Sequence, residues 1–246
     1  MPKTASSSLS SLLSRYAASE HEYEHEYACK IIWRYEQIHS EWELVHYFRN
    51  RAKALAGHDI ASFLHQLDFN LLEKCFPASK FLAVAREPSQ WIASFLAMIL
   101  DYSKSGRLSQ LTFDLRFLSD YAMKISPSLS FLGLCHQLAS DKRRGRIIQD
   151  FLDYWILWFN KINNLGAEKE IFIYTDVCRL HDDIIGCYQR LHGDNLPALH
   201  TSNHDIWLNK CPAYYTEFKK RIQAETQDMP LYPHALRCFA ALSTSP

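Results

Sequence analysis

The chain has 246 residues, of which 48% are apolar and only 7 are glycine. This composition is typical of a helix-rich globular protein, and the length suffices for one α/β domain with a sizeable core, so a disordered or fibrous chain is excluded. The 27 Lys and Arg residues balance the 27 Asp and Glu residues, so the total charge gives no sign of bulk nucleic-acid binding. A neutral total does not exclude a local basic cleft.

The first predicted elements are helical. A serine-rich loop leads into leucines at helical spacing over residues 6–13. A long helix is then predicted over residues 28–53, because large side chains recur there at helical spacing. This apolar stripe consists of Ile31, Ile32, Tyr35, Ile38, Trp42, Val45 and Phe48.

A short apolar run, residues 80–85, predicts a buried parallel strand. It ends at Arg86-Glu87-Pro88, and a long apolar helix follows from about Gln90. Pro88 fits the first turn of that helix, where its missing N–H costs little.

The second half of the chain repeats this alternation. Residues 147–162 predict an aromatic-rich helix, and residues 170–176 predict a second buried strand followed by a helix from about Arg179. Strands that alternate with helices predict the α/β class, specifically a helix-rich, three-layer P-loop-type fold with a mostly parallel central sheet flanked by helices. No domain boundary is evident, so we predict a single domain over residues 1–246.

The cysteines and the apolar runs bear on location. Seven cysteines, an odd number without C-x-x-C spacing, indicate free thiols in a reducing compartment. No apolar run approaches the ~20 residues that a membrane helix needs, and the first residues lack the apolar part of a signal peptide. We therefore expect a cytoplasmic, soluble protein with no membrane segment. A Golgi-lumenal or membrane-anchored location is the alternative if residues are missing before Met1.

The first candidate site is the stretch from Pro2 to Leu9. Its hydroxyl side chains at a helix entry, together with backbone N–H groups, suit a phosphate, and Lys3 adds a full positive charge. The Walker A pattern is absent. A serine-rich terminus with a capping serine is the alternative explanation.

The second candidate site is formed by Arg86 and Ser94, eight residues apart. Ligands of open α/β sheets bind at the carboxyl ends of strands, and an arginine placed there can hold a phosphate through two hydrogen bonds. A surface ion pair of Arg86 with Glu87 or Glu41 is the alternative.

Together these motifs resemble those of sulfotransferases that use 3′-phosphoadenosine 5′-phosphosulfate (PAPS). The stretch 2–9 is similar to their 5′-phosphosulfate loop, P-K-(T/S)-(G/A)-x-(T/S)-(T/S)-(L/F/W), and residues 81–94 are similar to their 3′-phosphate segment. Residues 56–60, A-G-H-D-I, resemble the G-H segment of the glycan 2-O-sulfotransferase branch. Residues 173–177 resemble a late Y-E-D-L strand end, and residues 228–239 resemble a D-x-x-L-Y-x-x-A-L-x-x-F ending.

The resemblance implies a role for each matching residue. The 5′-phosphosulfate would be bound by Lys3, Thr4, Ala5, Ser6, Ser7 and Ser8, with Lys3 also neutralising the leaving group. Arg86 and Ser94 would hold the 3′-phosphate, Lys210 lies in a segment that loosely resembles a cofactor-contacting N-K-(S/T) motif, and His58 would be the general base. PAPS would be the co-substrate, no metal would be required, and the acceptor would be a hydroxyl of a glycan, a small alcohol or a lipid.

The chain also departs from this family. Relatives have a strand directly before the P-K loop, whereas here the motif begins at residue 2. Trp91 stands where many relatives have arginine, and Thr175 replaces a common glutamate. The missing strand favours the alternative of a non-catalytic, sulfotransferase-like protein that binds a nucleotide or a partner.

Two further motifs have competing interpretations. Residues 21–25 read H-E-Y-E-H, the zinc-peptidase pattern H-E-x-x-H, but a solvated charged helix end is the preferred interpretation because no third ligand follows. The basic run at residues 141–146 suits either an anionic acceptor or a solvated loop before a helix.

Overall fold

The computed structural model of the chain describes residues 19–21, 25–54, 58–60, 69–77, 81–104, 113–140, 143–164, 169–174, 186 and 213–242. The chain divides into two compact units. The first comprises Met1–Arg86 and Asn160–Ala198, and the second comprises Glu87–Phe159 and Leu199–Pro246.

The described part of the first unit contains three helices and two separate pairs of parallel strands. Strands β1 (Ser19–His21) and β2 (His58–Ile60) form the first pair. Strands β3 (Phe81–Arg86) and β4 (Lys169–Tyr174) form the second, in a register that places Arg86 opposite Tyr174. The helices are α1 (His25–Ile38), α2 (Glu41–Ala54) and α3 (Phe69–Cys75).

The predicted helix over residues 28–53 is wrong as a single element, because the chain breaks between α1 and α2 at His39. The backbone of His39 is left-handed, with φ of 52°. As a result, only part of the predicted apolar stripe is buried. Ile32 and Phe48 are buried, whereas Ile38 is 52% and Trp42 75% exposed. Trp42 instead stacks on His46, with ring centroids 5.1 Å apart.

Aromatic packing and polar contacts connect α2 to α3 and β3. The ring of Phe76 lies 5.6 Å from that of Phe48 and 6.4 Å from that of Phe81. Lys74 Nζ pairs with Glu41 Oε2 at 2.7 Å, and Arg49 Nε donates to the carbonyl of Lys74 at 3.0 Å. Glu41, which the sequence analysis considered as an ion-pair partner of Arg86, is paired with Lys74.

The described part of the second unit is helical. Its elements are α4 (Pro88–Lys104), α5 (Phe113–Ile125), α6 (Phe131–Leu138), α7 (Arg144–Asn163, of which the last turn belongs to the first unit), α8 (Ala213–Gln227) and α9 (Tyr232–Leu242). Helix α6 begins where Ser130 accepts a hydrogen bond from the N–H of Gly133 at 3.1 Å, an N-cap that satisfies one free backbone donor.

The core of the second unit is a cluster of large rings on α4, α5 and α7. Trp91 is fully buried and lies 5.8 Å from Phe151 and 6.3 Å from Tyr154, ring centre to ring centre. Tyr121 donates to the hydroxyl of Tyr154 at 3.1 Å. Trp91, which stands where many sulfotransferases have arginine, is therefore a core residue, and burying such rings is worth several kcal/mol in total.

The predicted mostly parallel central sheet flanked by helices is wrong. Helices account for most of the described residues. The four described strands form two separate parallel pairs, one with strands of three residues and one with strands of six. The physical reason is that the large apolar side chains of the second unit bury each other between helices, so no sheet is needed to cover them. The single domain over residues 1–246 stays a prediction.

Within the described ranges, no helix combines the length and the apolarity that crossing a bilayer would require.

Candidate functional site

The start of α4 is organised by the carboxylate of Glu87. Glu87 directly precedes Pro88, which occupies the first helical position as expected, and Glu87 is the N-cap residue. Its Oε1 accepts from the N–H of Ser89 at 3.1 Å, and its Oε2 accepts from the N–H of Gln90 at 2.9 Å and from the hydroxyl of Ser89 at 2.6 Å. The negative charge also matches the positive end of the helix dipole.

A fourth donor reaches this carboxylate from the far end of the sequence. Tyr232, the first residue of α9, donates its hydroxyl to Glu87 Oε1 at 2.9 Å. Glu87 is 7% exposed, so a buried charge is stabilised by four hydrogen bonds. Burial, and then the hydrogen bond to Glu87, raise the pKa of Tyr232 to about 12, so the phenol stays protonated and remains a donor at neutral pH.

A short turn between α8 and α9 places Tyr232 in this position. The N–H of Asp228 bonds the carbonyl of Ala224 at 3.1 Å, and the N–H of Tyr232 bonds the carbonyl of Met229 at 3.0 Å. Two sequence motifs, Arg86-Glu87-Pro88 and the segment at residues 228–239, therefore meet through Glu87 and Tyr232, which are 145 positions apart.

The two residues predicted to hold the 3′-phosphate belong to different units. Arg86 ends β3 in the first unit, as the sequence predicts, and its side chain is half-buried. Ser94 lies in the second turn of α4 and is 4% exposed, below the surface of the second unit.

The remaining predicted site residues lie mostly outside the described part of the chain. This applies to Lys3, Thr4, Ala5, Ser6, Ser7, Ser8 and Lys210. His58 is the first residue of β2, and the described geometry there is that of its backbone, which pairs with Ser19. These assignments stay predictions.

The H-E-x-x-H stretch does not have the helical spacing that a zinc peptidase requires. His21 is the last residue of β1, whereas His25 is the first residue of α1. The two histidines are therefore not one turn apart on a single helix, the arrangement in which their rings would share a face. Among the side chains that the structure describes, no group of three or more His, Cys, Asp or Glu could hold a metal ion.

One arginine of the basic run has a structural role. Arg144 is 2% exposed and binds Glu225 through two hydrogen bonds, Nε to Oε2 at 3.0 Å and Nη2 to Oε1 at 2.7 Å. Its Nη1 donates to the carbonyl of Leu138 at 3.1 Å. This side chain ties α6, α7 and α8 together. Among the residues of the run that the structure describes, the exposed Arg143 and Arg146 are the ones available to an anionic acceptor.

Sequence analysis missed the roles of Glu87 and Tyr232. A signal for the first was present, because a proline at the first helical position makes the residue before it the N-cap. Tyr232 offered no such local signal, since its partner is distant in the sequence.

Comparison with known proteins adds no relative. No family model matches the chain, and neither a curated protein nor a solved structure shows significant similarity to it.

Proposed function

We propose that the chain is a PAPS-dependent sulfotransferase that moves a sulfuryl group from PAPS to an acceptor hydroxyl, for example of a carbohydrate. The ordered set of sequence motifs supports this proposal. The observation that supports it most is the 2.9 Å hydrogen bond from Tyr232 to Glu87, because it joins residues of two of those motifs that lie far apart in the sequence.

The roles follow from the charge that the nucleotide carries. Arg86 and Ser94 bind the 3′-phosphate, which distinguishes PAPS from AMP and ATP. Thr4, Ala5, Ser6, Ser7 and Ser8 supply hydroxyl and N–H donors to the 5′-phosphosulfate, and Lys210 adds a further cofactor contact. Since lysine and arginine provide the positive charge, the reaction needs no metal ion.

Transfer proceeds in line, as in phosphoryl transfer. The acceptor oxygen forms a bond to sulfur while the bond from sulfur to the 5′-phosphate oxygen breaks. His58 takes the proton from the acceptor hydroxyl, because a neutral imidazole is available near pH 7. Lys3 stabilises the charge that grows on the leaving phosphate, and 3′-phosphoadenosine 5′-phosphate (PAP) is released.

The test is transfer of labelled sulfate from PAPS to a panel of glycans, small alcohols and lipids. We expect His58→Ala to reduce turnover by roughly 10²–10⁴-fold with little change in nucleotide affinity. Lys3→Ala should lower turnover and weaken binding mildly, because it removes charge stabilisation from the leaving group. His21→Ala is the matched histidine control and should leave turnover unchanged.

The competing function is non-catalytic binding of a nucleotide or a partner by a sulfotransferase-like chain. The absence of a central sheet in the described residues favours this alternative. Binding of PAP without transfer to any member of the panel is the result that this alternative predicts, and an acceptor missing from the panel would give the same result. A fully active His58→Ala variant would reject His58 as the base.

A further inference from the structure

We propose that His234 and Cys238 on α9 form a binding site for a thiophilic divalent metal ion such as Zn²⁺. Both residues belong to the second unit, and neither is among the residues proposed to bind PAPS. The inference therefore goes beyond the proposed function, which requires no metal ion.

The first step of the argument is the spacing of the two side chains. His234 and Cys238 are four residues apart on α9, so they lie one turn apart on the same face of the helix. Nε2 of His234 is 3.9 Å from Sγ of Cys238. The two donor atoms are therefore neighbours, and a single helix holds them in this arrangement without help from another element.

The second step is that this separation fits one shared metal ion. Zinc binds a thiolate at about 2.3 Å and an imidazole nitrogen at about 2.0–2.1 Å, usually with tetrahedral angles. These lengths place the two donor atoms about 3.6 Å apart. The observed separation of 3.9 Å requires only a small adjustment of the two side chains, which their rotatable bonds can provide.

The third step is that the chemistry of the donors selects the metal. Thiolate sulfur and imidazole nitrogen suit zinc and its neighbours in the first transition series, whereas Mg²⁺ and Ca²⁺ prefer oxygen ligands. Among the side chains that the structure describes, no third His, Cys, Asp or Glu completes a group of three. Water fills the remaining positions, so we expect weaker binding than at a four-ligand structural zinc site.

The fourth step concerns access and protonation. His234 is exposed and Cys238 is 8% exposed, so the ion reaches the sulfur from the side of the imidazole. Burial raises the pKa of the Cys238 thiol, so the sulfur carries its proton at neutral pH when no metal is bound. On binding, the S–H bond breaks, a bond from sulfur to the metal forms, and the proton is released to solvent.

The experiment titrates the full chain with Co²⁺ and records the near-ultraviolet charge-transfer absorption that a cobalt–thiolate bond gives. We expect a saturable band in the unmodified chain, which Zn²⁺ should remove by competition and Mg²⁺ should not. Cys238→Ser should abolish the band. His234→Ala should weaken cobalt binding roughly tenfold or more, because it removes one of the two protein ligands.

Cys135→Ser is the matched control. Cys135 is also buried and also has a histidine beside it, His136, but the two are consecutive residues of α6 and do not lie one turn apart. This variant should keep both the band and the cobalt concentration at which it saturates.

Either of two results would overturn the inference: no thiolate band in the unmodified chain, or a band that Cys238→Ser and His234→Ala leave unchanged. If Cys238→Ser does not fold, the exposed position of His234 still allows the test. Zn²⁺ should raise the melting temperature of the unmodified chain and should raise that of His234→Ala less. None of these measurements depends on sulfuryl transfer, so they succeed or fail independently of the proposed function.

Discussion

At the residue scale, the buried charges show which polar groups the fold depends on. Arg144 and Glu225 form a paired contact in which the arginine side chain is 3% and the glutamate 30% exposed. Glu225 also accepts from Arg221 at 3.1 Å, one turn away on the same helix. Removing a buried arginine leaves its carboxylate partner partly desolvated and without its main counter-charge.

We expect Arg144→Ala to lower the free energy of unfolding by roughly 3 kcal/mol, near the lower end of the range for breaking a buried pair, since Glu225 keeps Arg221 and some solvent. Arg146→Ala, in the same basic run but exposed, should change it by less than about 0.5 kcal/mol. Urea unfolding measures both. Equal effects of the two substitutions would contradict the structural role of Arg144.

Tyr232 leads to a pH prediction. Its pKa is raised on folding to about 12, with burial as the main cause, so the folded chain holds this proton more tightly than the unfolded chain does. The associated stability is complete below about pH 10, where an unfolded tyrosine begins to ionise, and is lost as the pH rises toward 12.

Urea unfolding between about pH 8 and about pH 11 should therefore show a loss of stability that is smaller in Tyr232→Phe than in the unmodified chain. Tyr154, whose pKa burial also raises to about 12, contributes to the same loss and will remain in the variant. Identical alkaline profiles for the two proteins would show that folding does not raise the pKa of Tyr232 as described.

At the element scale, the break between α1 and α2 shows where helical periodicity is insufficient. The stripe over residues 28–53 fits one helix, yet His39 turns left-handed, its N–H bonds the carbonyl of Tyr35 at 2.8 Å, and the chain restarts at Glu41. A signal existed, because Ser40 followed by Glu43 matches the S-x-x-E capping-box pattern of a helix start. No glycine or proline marks the site, so periodicity predicted a continuous helix.

Substitutions at His39 test this break. His39→Val should destabilise the protein by roughly 1–2 kcal/mol, because a β-branched residue is strained in the left-handed region. His39→Gly should be within about 0.5 kcal/mol of the unmodified chain, since glycine removes that strain but also the contact between the rings of His39 and Tyr35. Thermal unfolding of the three proteins measures the difference, and a valine variant as stable as the glycine one would contradict the left-handed conformation.

At the scale of the whole molecule, the sequence predicted local elements better than their assembly. Strands lie at Phe81–Arg86 and Lys169–Tyr174, close to the apolar runs predicted as strands at residues 80–85 and 170–176. Helix α4 begins at Pro88, which was predicted to lie in its first turn. The central sheet was inferred from those two runs alone, whereas helix-to-helix packing of rings such as Trp91 and Phe151 forms the core of the second unit. Periodicity identifies which residues are buried but not the element against which they pack.

The candidate site shows the same limit. The sequence identified Arg86 at the end of a strand and Ser94 on the helix that follows, because both depend on local spacing. It could not identify Tyr232, since the bond to Glu87 joins positions 145 residues apart. Contacts of this kind depend on how α9 packs, which a local pattern does not encode.

The central claim, that Arg86 belongs to a site for a 3′-phosphate, is tested most directly by the calorimetric affinities of PAP and AMP. We predict that PAP binds at least roughly tenfold more tightly than AMP, and that Arg86→Ala removes this difference, because a charged hydrogen bond to phosphate contributes roughly 1.5–3 kcal/mol. Arg34→Ala, which removes an exposed arginine of the same unit paired with Glu43 at 3.1 Å, should preserve the difference. Equal affinity of the unmodified chain for PAP and AMP would contradict the account.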